Sequence, residues 1–155
     1  MASLQSKLRM FVGGSAGPAY LQRLRNNDPT LTTLNLEGNH LKYRAIDLAN
    51  ALRSNTSLIR LNIALNEIKG EGFSVAVSNM LLANTSLETL DLGGNYLMED
   101  FGKAVAGALK TNSSLTALEL SANSLREAGG VALANALETN TSLTSLGIGV
   151  NYIGE

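Results

Sequence analysis

A pattern of apolar residues and one asparagine recurs five times along the chain at a nearly constant spacing. In its first copy it consists of Leu31, Leu34, Leu36, Asn39 and Leu41, and later copies carry Leu or Ile and Asn at the same offsets. The copies begin at residues 31, 58, 87, 115 and 143, so successive starts are 27, 29, 28 and 28 residues apart. Such a period is typical of stacked repeats, in which each unit buries its apolar face against its neighbours.

Each repeat has two halves with different apolar periods. The alternation of Leu34 and Leu36 is typical of a short strand with one buried face. Farther along, Leu48, Ala51 and Leu52 show the i, i+3, i+4 spacing of a helix that packs on one side. The pattern therefore predicts parallel strands at Leu34–Leu36, Leu61–Ile63, Leu90–Leu92, Leu118–Leu120 and Leu146–Ile148. It predicts helices over residues 43–54, 72–83, 100–111 and 128–139.

Two sets of asparagines also recur with the repeat. The first set ends each strand segment, where the chain turns inward and leaves peptide groups without partners that an amide side chain can satisfy; its members are Asn39, Asn66, Asn95, Asn123 and Asn151. The second set lies in Asn-x-Ser/Thr triplets before the strands, at Asn55, Asn84, Asn112 and Asn140. We expect a structural role for both. We also expect Gly129-Gly130 to ease the turn where the last helix begins.

The motif LxxLxLxxNxL, with a helix and a 28-residue period, resembles the ribonuclease-inhibitor-like subfamily of leucine-rich repeats. That group includes the ribonuclease inhibitors, the Ran GTPase-activating proteins and the sensor regions of nucleotide-binding innate receptors. The resemblance covers residues 31–155 and partly residues 15–30. It implies an α/β solenoid, a right-handed β-α superhelix with parallel strands on the concave face and helices on the convex face. It specifies the fold better than the partner, because the family is mostly a binding scaffold.

A narrower resemblance lies just before the first repeat. The segment Leu21-Gln-Arg-Leu24-Arg-Asn-Asn27-Asp28-Pro29-Thr-Leu31 is similar to the one that opens the repeat domain of tropomodulins, which cap actin filaments. Asp28-Pro29 also has a local explanation, because proline restricts the residue before it and so stops a helix. The resemblance implies an actin-binding module as one alternative.

The ends of the chain differ from the regular repeats. Helical patterns over residues 4–12 and 19–25 predict an N-terminal helical cap at residues 1–30, followed by five repeats at residues 31–155. The fifth repeat stops before any helix, so we expect it to be incomplete. An uncovered last repeat predicts either end-to-end self-association at the C-terminus or fraying of the final residues.

Composition and motifs argue against several kinds of chemistry. The chain has no cysteine and a single histidine, and it lacks the Gly-x-Ser-x-Gly and GxxxxGK[ST] motifs. We therefore expect no catalytic residues, no metal site, no cofactor and no enzyme activity. A net charge of −1 and short apolar runs argue against nucleic-acid partners and a membrane span. The absence of cysteine and of a secretory signal predicts a cytoplasmic protein.

Residues between the buried leucines should face solvent on the concave side. The predicted partner-binding residues are Thr33, Asn35, Glu37, His40, Arg60, Asn62, Glu67, Glu88, Asp91, Tyr96, Glu119 and Tyr152. They include five acids and one base, Arg60, an imbalance that favours a basic partner. Tyr96 and Tyr152 are candidate anchors, because tyrosine is enriched among residues that dominate binding energy.

These observations predict a non-catalytic protein–protein interaction module that binds a protein or peptide through its concave strand face. Two alternatives come from the resemblances. One is an actin-binding or actin-capping module like the tropomodulins. The other is a GTPase-activating protein of the Ran activator type, which would need no catalytic constellation of its own.

Overall fold

The structure, a computed structural model, describes residues 18–154 of the chain. Ten elements alternate along these residues. In order they are α1 Ala19–Arg25, β1 Thr33–Asn35, α2 Arg44–Leu52, β2 Arg60–Asn62, α3 Glu71–Ala83, β3 Thr89–Asp91, α4 Glu99–Leu109, β4 Ala117–Glu119, α5 Arg126–Leu137 and β5 Ser145–Gly147. The helix expected over residues 4–12 lies outside the described residues, and the assignment of residues 1–30 as a cap stays a prediction.

The five strands form one parallel sheet in sequence order, which confirms the predicted leucine-rich-repeat solenoid. The central leucines of all five strands align in a single column of the sheet; these are Leu34, Leu61, Leu90, Leu118 and Leu146. Each strand begins and ends one residue earlier than predicted. The chain turns directly after the strand, where the Asn35 side chain accepts a hydrogen bond from the Glu37 amide.

The four repeat helices pack beside one another behind the sheet. They lie at the predicted places, although α2, α4 and α5 each end two residues before the predicted position. The early ends follow from the asparagines that come next. The Asn112 and Asn140 amides still bond to helical carbonyl groups, while their side chains already bond to the neighbouring repeat.

The core is almost entirely aliphatic, apart from Tyr20 in α1 and one aromatic pair between sheet and helices. Phe73 and Phe101 stack with ring centroids 5.8 Å apart and interplanar angle 6°, joining α3 to α4. Burial of Leu and Phe side chains on this scale is the main favourable contribution to folding. Within residues 18–154, no helix has both the length and the apolar content needed to cross a membrane.

The expectation for Gly129-Gly130 is wrong. Both glycines are buried inside α5 rather than in the turn before it. A Cβ atom built on Gly102 of α4 would lie 2.9 Å from the Gly129 Cα atom, so α4 and α5 pack with their backbones in contact. Gly130 makes a similar close approach to Ile153. The glycines are required by packing between neighbouring repeats, not by turn geometry.

Both asparagine sets have the predicted structural role. Asn95 is buried, and its Oδ1 atom accepts hydrogen bonds from the amides of Asn66 and Ile68 while its Nδ2 atom donates to the Ile63 and Leu92 carbonyl groups. The set therefore links each repeat to the previous one. Asn39, the first of the set, is exposed, and its side chain donates only to the Glu37 carbonyl group.

The second set likewise links neighbouring repeats, at the other end of the strands. Asn84 is buried, and its Nδ2 atom donates to the Leu52 and Asn55 carbonyl groups while its Oδ1 atom accepts from the Ser86 and Leu87 amides. A buried amide with donors and acceptors both satisfied stabilises the stack of repeats. Two ladders of asparagine side chains thus run along the solenoid, one at each end of the strands.

Candidate interaction surfaces

The strand register brings the predicted concave residues into two columns. Thr33 and Arg60 are paired in the first column, which continues through Thr89, Ala117 and Ser145. The second column consists of Asn35, Asn62, Asp91, Glu119 and Gly147. We call these two columns the concave face. Its side chains range from half-buried to exposed, so they are available to a partner.

The second column has a local task that the sequence patterns did not reveal. Asn35, Asn62, Asp91 and Glu119 each accept a hydrogen bond from the backbone amide two residues later, at 2.7–2.9 Å. Asn and Asp are common where such a side chain stabilises a turn. The sequence pattern that indicates these turns is an Asn or Asp at the same position of three consecutive repeats, namely Asn35, Asn62 and Asp91.

Glycine in the fifth repeat leaves room for an acid of the fourth. A Cβ atom built on Gly147 would overlap the Glu119 carboxylate, so this carboxylate lies over the neighbouring strand. The negative charge of Glu119 therefore extends across repeats four and five. Asp91, one strand earlier in the same column, adds a second carboxylate.

The predicted partner-binding residues His40 and Glu67 lie outside the two strand columns, on a separate surface. His40 Nδ1 donates to Glu67 Oε1 at 2.5 Å, and Lys42 Nζ lies 3.3 Å from Glu67 Oε2. The hydrogen bond from His40, followed by that from Lys42, lowers the pKa of the Glu67 carboxyl below its usual range. Glu67 is thus paired with the Lys42 ammonium group and hydrogen-bonded to His40. The acid excess on and beside the concave face comes from Glu37, Glu88, Asp91 and Glu119.

The two candidate tyrosine anchors do not share one site. Tyr96 is 57% exposed and lies in the third repeat, whereas Tyr152 is 77% exposed and lies in the fifth. Ser124 occupies the equivalent position between them. Instead, Tyr96 lines a groove of about 350 Å³ together with Tyr43, which is 72% exposed and which the sequence patterns did not single out.

Acidic and histidine side chains of residues 18–154 nowhere gather in a group of three that would be able to hold a metal ion. The sites that the fold does present are surfaces. One is the acidic concave face, and the other is the edge where each strand leads into its helix. Both are suited to binding a protein partner.

Comparisons with known proteins agree with this architecture. The chain matches the Leucine Rich repeat family model at residues 27–45, 54–74, 83–100 and 111–134, which together make up more than half of the chain. Leiomodin-3 of Homo sapiens and leiomodin-3 of Mus musculus are each 34% identical over 79 residues. That match covers 50% of this chain and only 14% of either relative.

Solved structures show the likeness over most of the chain. The structure titled Leiomodin-1 Actin-Binding Site 2 superposes with a TM-score of 0.79 at 25% identity, covering 88% of this chain and 80% of that one. The tropomodulin C-terminal domain of Caenorhabditis elegans superposes with a TM-score of 0.74 at 19% identity, covering 83% and 79% of the respective chains, and shows the fold alone. With its five stacked repeats and matched family model, this chain belongs to the leucine-rich-repeat family.

Proposed function

We propose that this chain is a non-catalytic protein-interaction module whose partner is actin. The observation that supports the proposal most is its likeness, over 88% of this chain, to the actin-binding site 2 of leiomodin-1. The resemblance of the Leu21–Leu31 segment to tropomodulins points in the same direction. This narrower alternative fits the comparisons better than a general interaction module does. The Ran-activator alternative rests on the repeat motif alone.

The proposed binding surface is the concave face together with Glu37 and Glu88. Parallel strands hold its side chains in fixed columns, so a partner meets a preorganised surface and less ordering is needed on binding. Its acid excess is expected to attract a basic region of the partner and to act mainly on the association rate. We place the module in the cytoplasm.

Isosteric neutralisation of the concave acids tests both the partner and the surface. The variant Glu88→Gln, Asp91→Asn and Glu119→Gln removes three negative charges but keeps the acceptor atoms that bind the Gly93 and Ser121 amides. Association with fluorescently labelled monomeric actin is followed by stopped flow at low and high salt. We expect the variant to associate about tenfold more slowly at low salt, with the difference shrinking at high salt.

A matched variant controls for net charge. Asp47→Asn, Asp100→Asn and Glu138→Gln remove the same number of charges from exposed positions on or next to the repeat helices. This control should associate nearly as fast as the parent chain. Equal slowing of both variants would move the site away from the concave face. If the parent chain shows no binding to actin at micromolar concentrations, the proposed partner is wrong.

A further inference from the structure

Exposed apolar side chains are concentrated along one edge of the solenoid, where each strand leads into its helix. Of the ten large apolar side chains exposed among residues 18–154, six lie on this edge. They are Tyr43, Leu65, Tyr96, Met98, Val150 and Tyr152. The other four are scattered over the helices. Contiguous apolar groups on a surface mark binding sites more often than isolated ones do.

One groove on this edge combines aromatic rings with positive charge. It has a volume of about 350 Å³ and is lined by Lys42, Tyr43, Ile46, Glu67, Lys69 and Tyr96. These residues come from the first three repeats, so only stacking of the repeats creates the groove. Ile46 is partly buried against the core and adds an apolar side chain to the lining, which also contains two largely exposed tyrosines.

The backbone around the groove is held in place by the neighbouring repeat. The Leu41 amide donates to Asn66 Oδ1 at 3.1 Å, and the Lys42 amide donates to the Asn66 carbonyl group, also at 3.1 Å. On the other side, the Tyr96 amide donates to the Ile68 carbonyl group at 2.9 Å. Because these bonds fix the loops before any partner arrives, little backbone entropy is lost on binding.

The charge of the groove is opposite to that of the concave face. Its one acid, Glu67, already pairs with His40 and Lys42. Lys69 is exposed and forms no ion pair with any described residue. Lys42 and Lys69 stand three residues after the turn asparagines of repeats one and two, and Arg126 occupies the equivalent position in repeat four. The groove, with two lysines and one acid, is therefore cationic as well as aromatic.

These features select one class of occupant. A nucleic acid would need a denser array of cations than two lysines, and the net charge of −1 offers no general attraction to one. An acidic peptide segment with an apolar side chain matches both the lysines and the aromatic side chains that line the groove. Its carboxylates would pair with the lysines, and its apolar group would pack between the aromatic rings.

We propose that the groove between Tyr43 and Tyr96 is a docking site for an acidic protein segment that inserts an apolar side chain and places carboxylates at Lys42 and Lys69. This site lies apart from the concave columns. It goes beyond the proposed function and does not depend on actin being the partner of the concave face.

A peptide titration of the ¹⁵N-labelled full chain tests the proposal directly. The probe is a peptide of Glu and Asp residues around a central Phe-Leu pair. Two control peptides replace either the acids by Gln and Asn or the Phe-Leu pair by Ser. We expect amide shifts concentrated around Tyr43, Lys69 and Tyr96 with the probe, and at least about tenfold weaker binding of each control peptide.

Paired variants locate the binding energy. Lys42→Gln with Lys69→Gln, and separately Tyr43→Ala with Tyr96→Ala, should each weaken probe binding about tenfold. Arg53→Gln with Lys110→Gln, and Val75→Ala with Leu82→Ala, are the matched controls at exposed positions outside the groove, and they should bind like the parent. Spectra of all variants should retain the parent's dispersed amide pattern, which shows that they fold.

Three results would overturn the proposal. The first is the absence of binding at millimolar probe concentration. The second is binding that persists unchanged in both groove variants. The third is equal binding of the probe and the peptide that lacks Phe-Leu, which would indicate general charge attraction. The probe is a peptide and not actin. A lack of actin binding would therefore contradict only the proposed function, and a lack of peptide binding would contradict only the proposed docking site.

Discussion

Single buried asparagines connect neighbouring repeats in this protein. The Asn95 side chain uses both of its polar atoms and serves backbone groups in the second and third repeats. Asn39, the first asparagine of the same row, lacks this environment, because it is exposed and its side chain bonds only within its own turn. Asparagines at the same repeat position therefore contribute very differently to the free energy of unfolding.

Alanine substitution should cost much more stability at the buried Asn95 than at the exposed Asn39. Asn95→Ala removes the side-chain partner of the Asn66 and Ile68 amides and of the Ile63 carbonyl group, so we expect a loss of about 1–3 kcal/mol in the free energy of unfolding. Asn39→Ala should change it by less than about 0.5 kcal/mol. Urea titrations followed by circular dichroism give both values. Equal midpoints for the two variants would contradict the structural role of the asparagine row.

Asp28 provides a pH-dependent contact at the start of the repeats. Its carboxylate accepts hydrogen bonds from the Thr30 hydroxyl group at 2.6 Å and the Thr30 amide at 2.9 Å, and lies 2.6 Å from Arg23 Nε. The Thr30 hydroxyl, then Arg23, lowers the pKa of Asp28 from 3.8 to about 2. The Asp-Pro pair thus does more than stop a helix, since its carboxylate joins α1 to the turn before β1.

The sign of this shift predicts how Asp28→Asn behaves. A carboxyl whose pKa is lower in the folded state stabilises the fold above its unfolded pKa, and this contribution disappears as the pH falls toward the folded value. Asp28→Asn should therefore melt at a lower temperature than the parent at pH 7, with the gap closing between about pH 4 and pH 2. Melting curves recorded across this pH range test the prediction. A difference in melting temperature that stays constant down to pH 2 would rule out the Asp28 carboxylate as the cause of the difference.

The close contact between helices α4 and α5 depends on glycine, which has no side chain to keep the two backbones apart. Gly102 lies against the Gly129 backbone, whereas Gly107 in the same helix has open space where a Cβ atom would be. The sequence shows both as glycines inside a helix, where glycine costs stability relative to alanine. Only the packing of the repeats distinguishes the required glycine from the dispensable one.

Substitution of these glycines by alanine should have opposite effects. Gly107→Ala should raise the free energy of unfolding by about 0.5–1 kcal/mol, because alanine favours the helix and meets no neighbour. Gly102→Ala should lower it by about 1–3 kcal/mol, because the new methyl group forces α4 away from α5. Thermal and urea unfolding give the comparison. A stabilised Gly102→Ala variant would show that the two helices separate without cost.

Across the whole molecule, the repeats contribute unequally to one shared core. Leu90 and Leu146 occupy the same column of the sheet, but Leu90 is fully buried between repeats on both sides while Leu146 is only partly buried. In a solenoid, stability is close to a sum of repeat terms and nearest-neighbour interfaces. The central repeats therefore hold most of the stability that a single substitution can remove.

Leu90→Ala and Leu146→Ala make a matched test of this gradient. Leu90→Ala should cost about 2–5 kcal/mol, because it leaves a cavity enclosed on all sides. Leu146→Ala should cost about half as much or less, because its side chain already keeps some contact with water. Urea unfolding gives the two losses, and hydrogen exchange should show faster exchange in β5 than in β3. Equal losses would contradict a gradient along the solenoid.

The regular features of this protein could be predicted from the sequence alone. Alternating leucines with one buried face leave only one strand register, because a shift by one residue would expose them. The 28-residue period then places residues at equal offsets of successive repeats in columns, and Thr33 pairs with Arg60 and Asp91 with Glu119 at such equal offsets. Periodic residues are predictable because the repeat length itself specifies which of them become neighbours.

Features that do not follow the repeat period could not be predicted and became apparent only in the tertiary structure. Tyr43 and Tyr96 stand at different positions within their repeats, so no repeat column predicted that they would line one groove. The contact of Gly102 with Gly129 depends on the distance between two helix axes, and the lowered pKa of Asp28 depends on where the Arg23 side chain reaches. Spacing along a sequence specifies which backbones stack, but distances between side chains of different repeats exist only once the solenoid has formed.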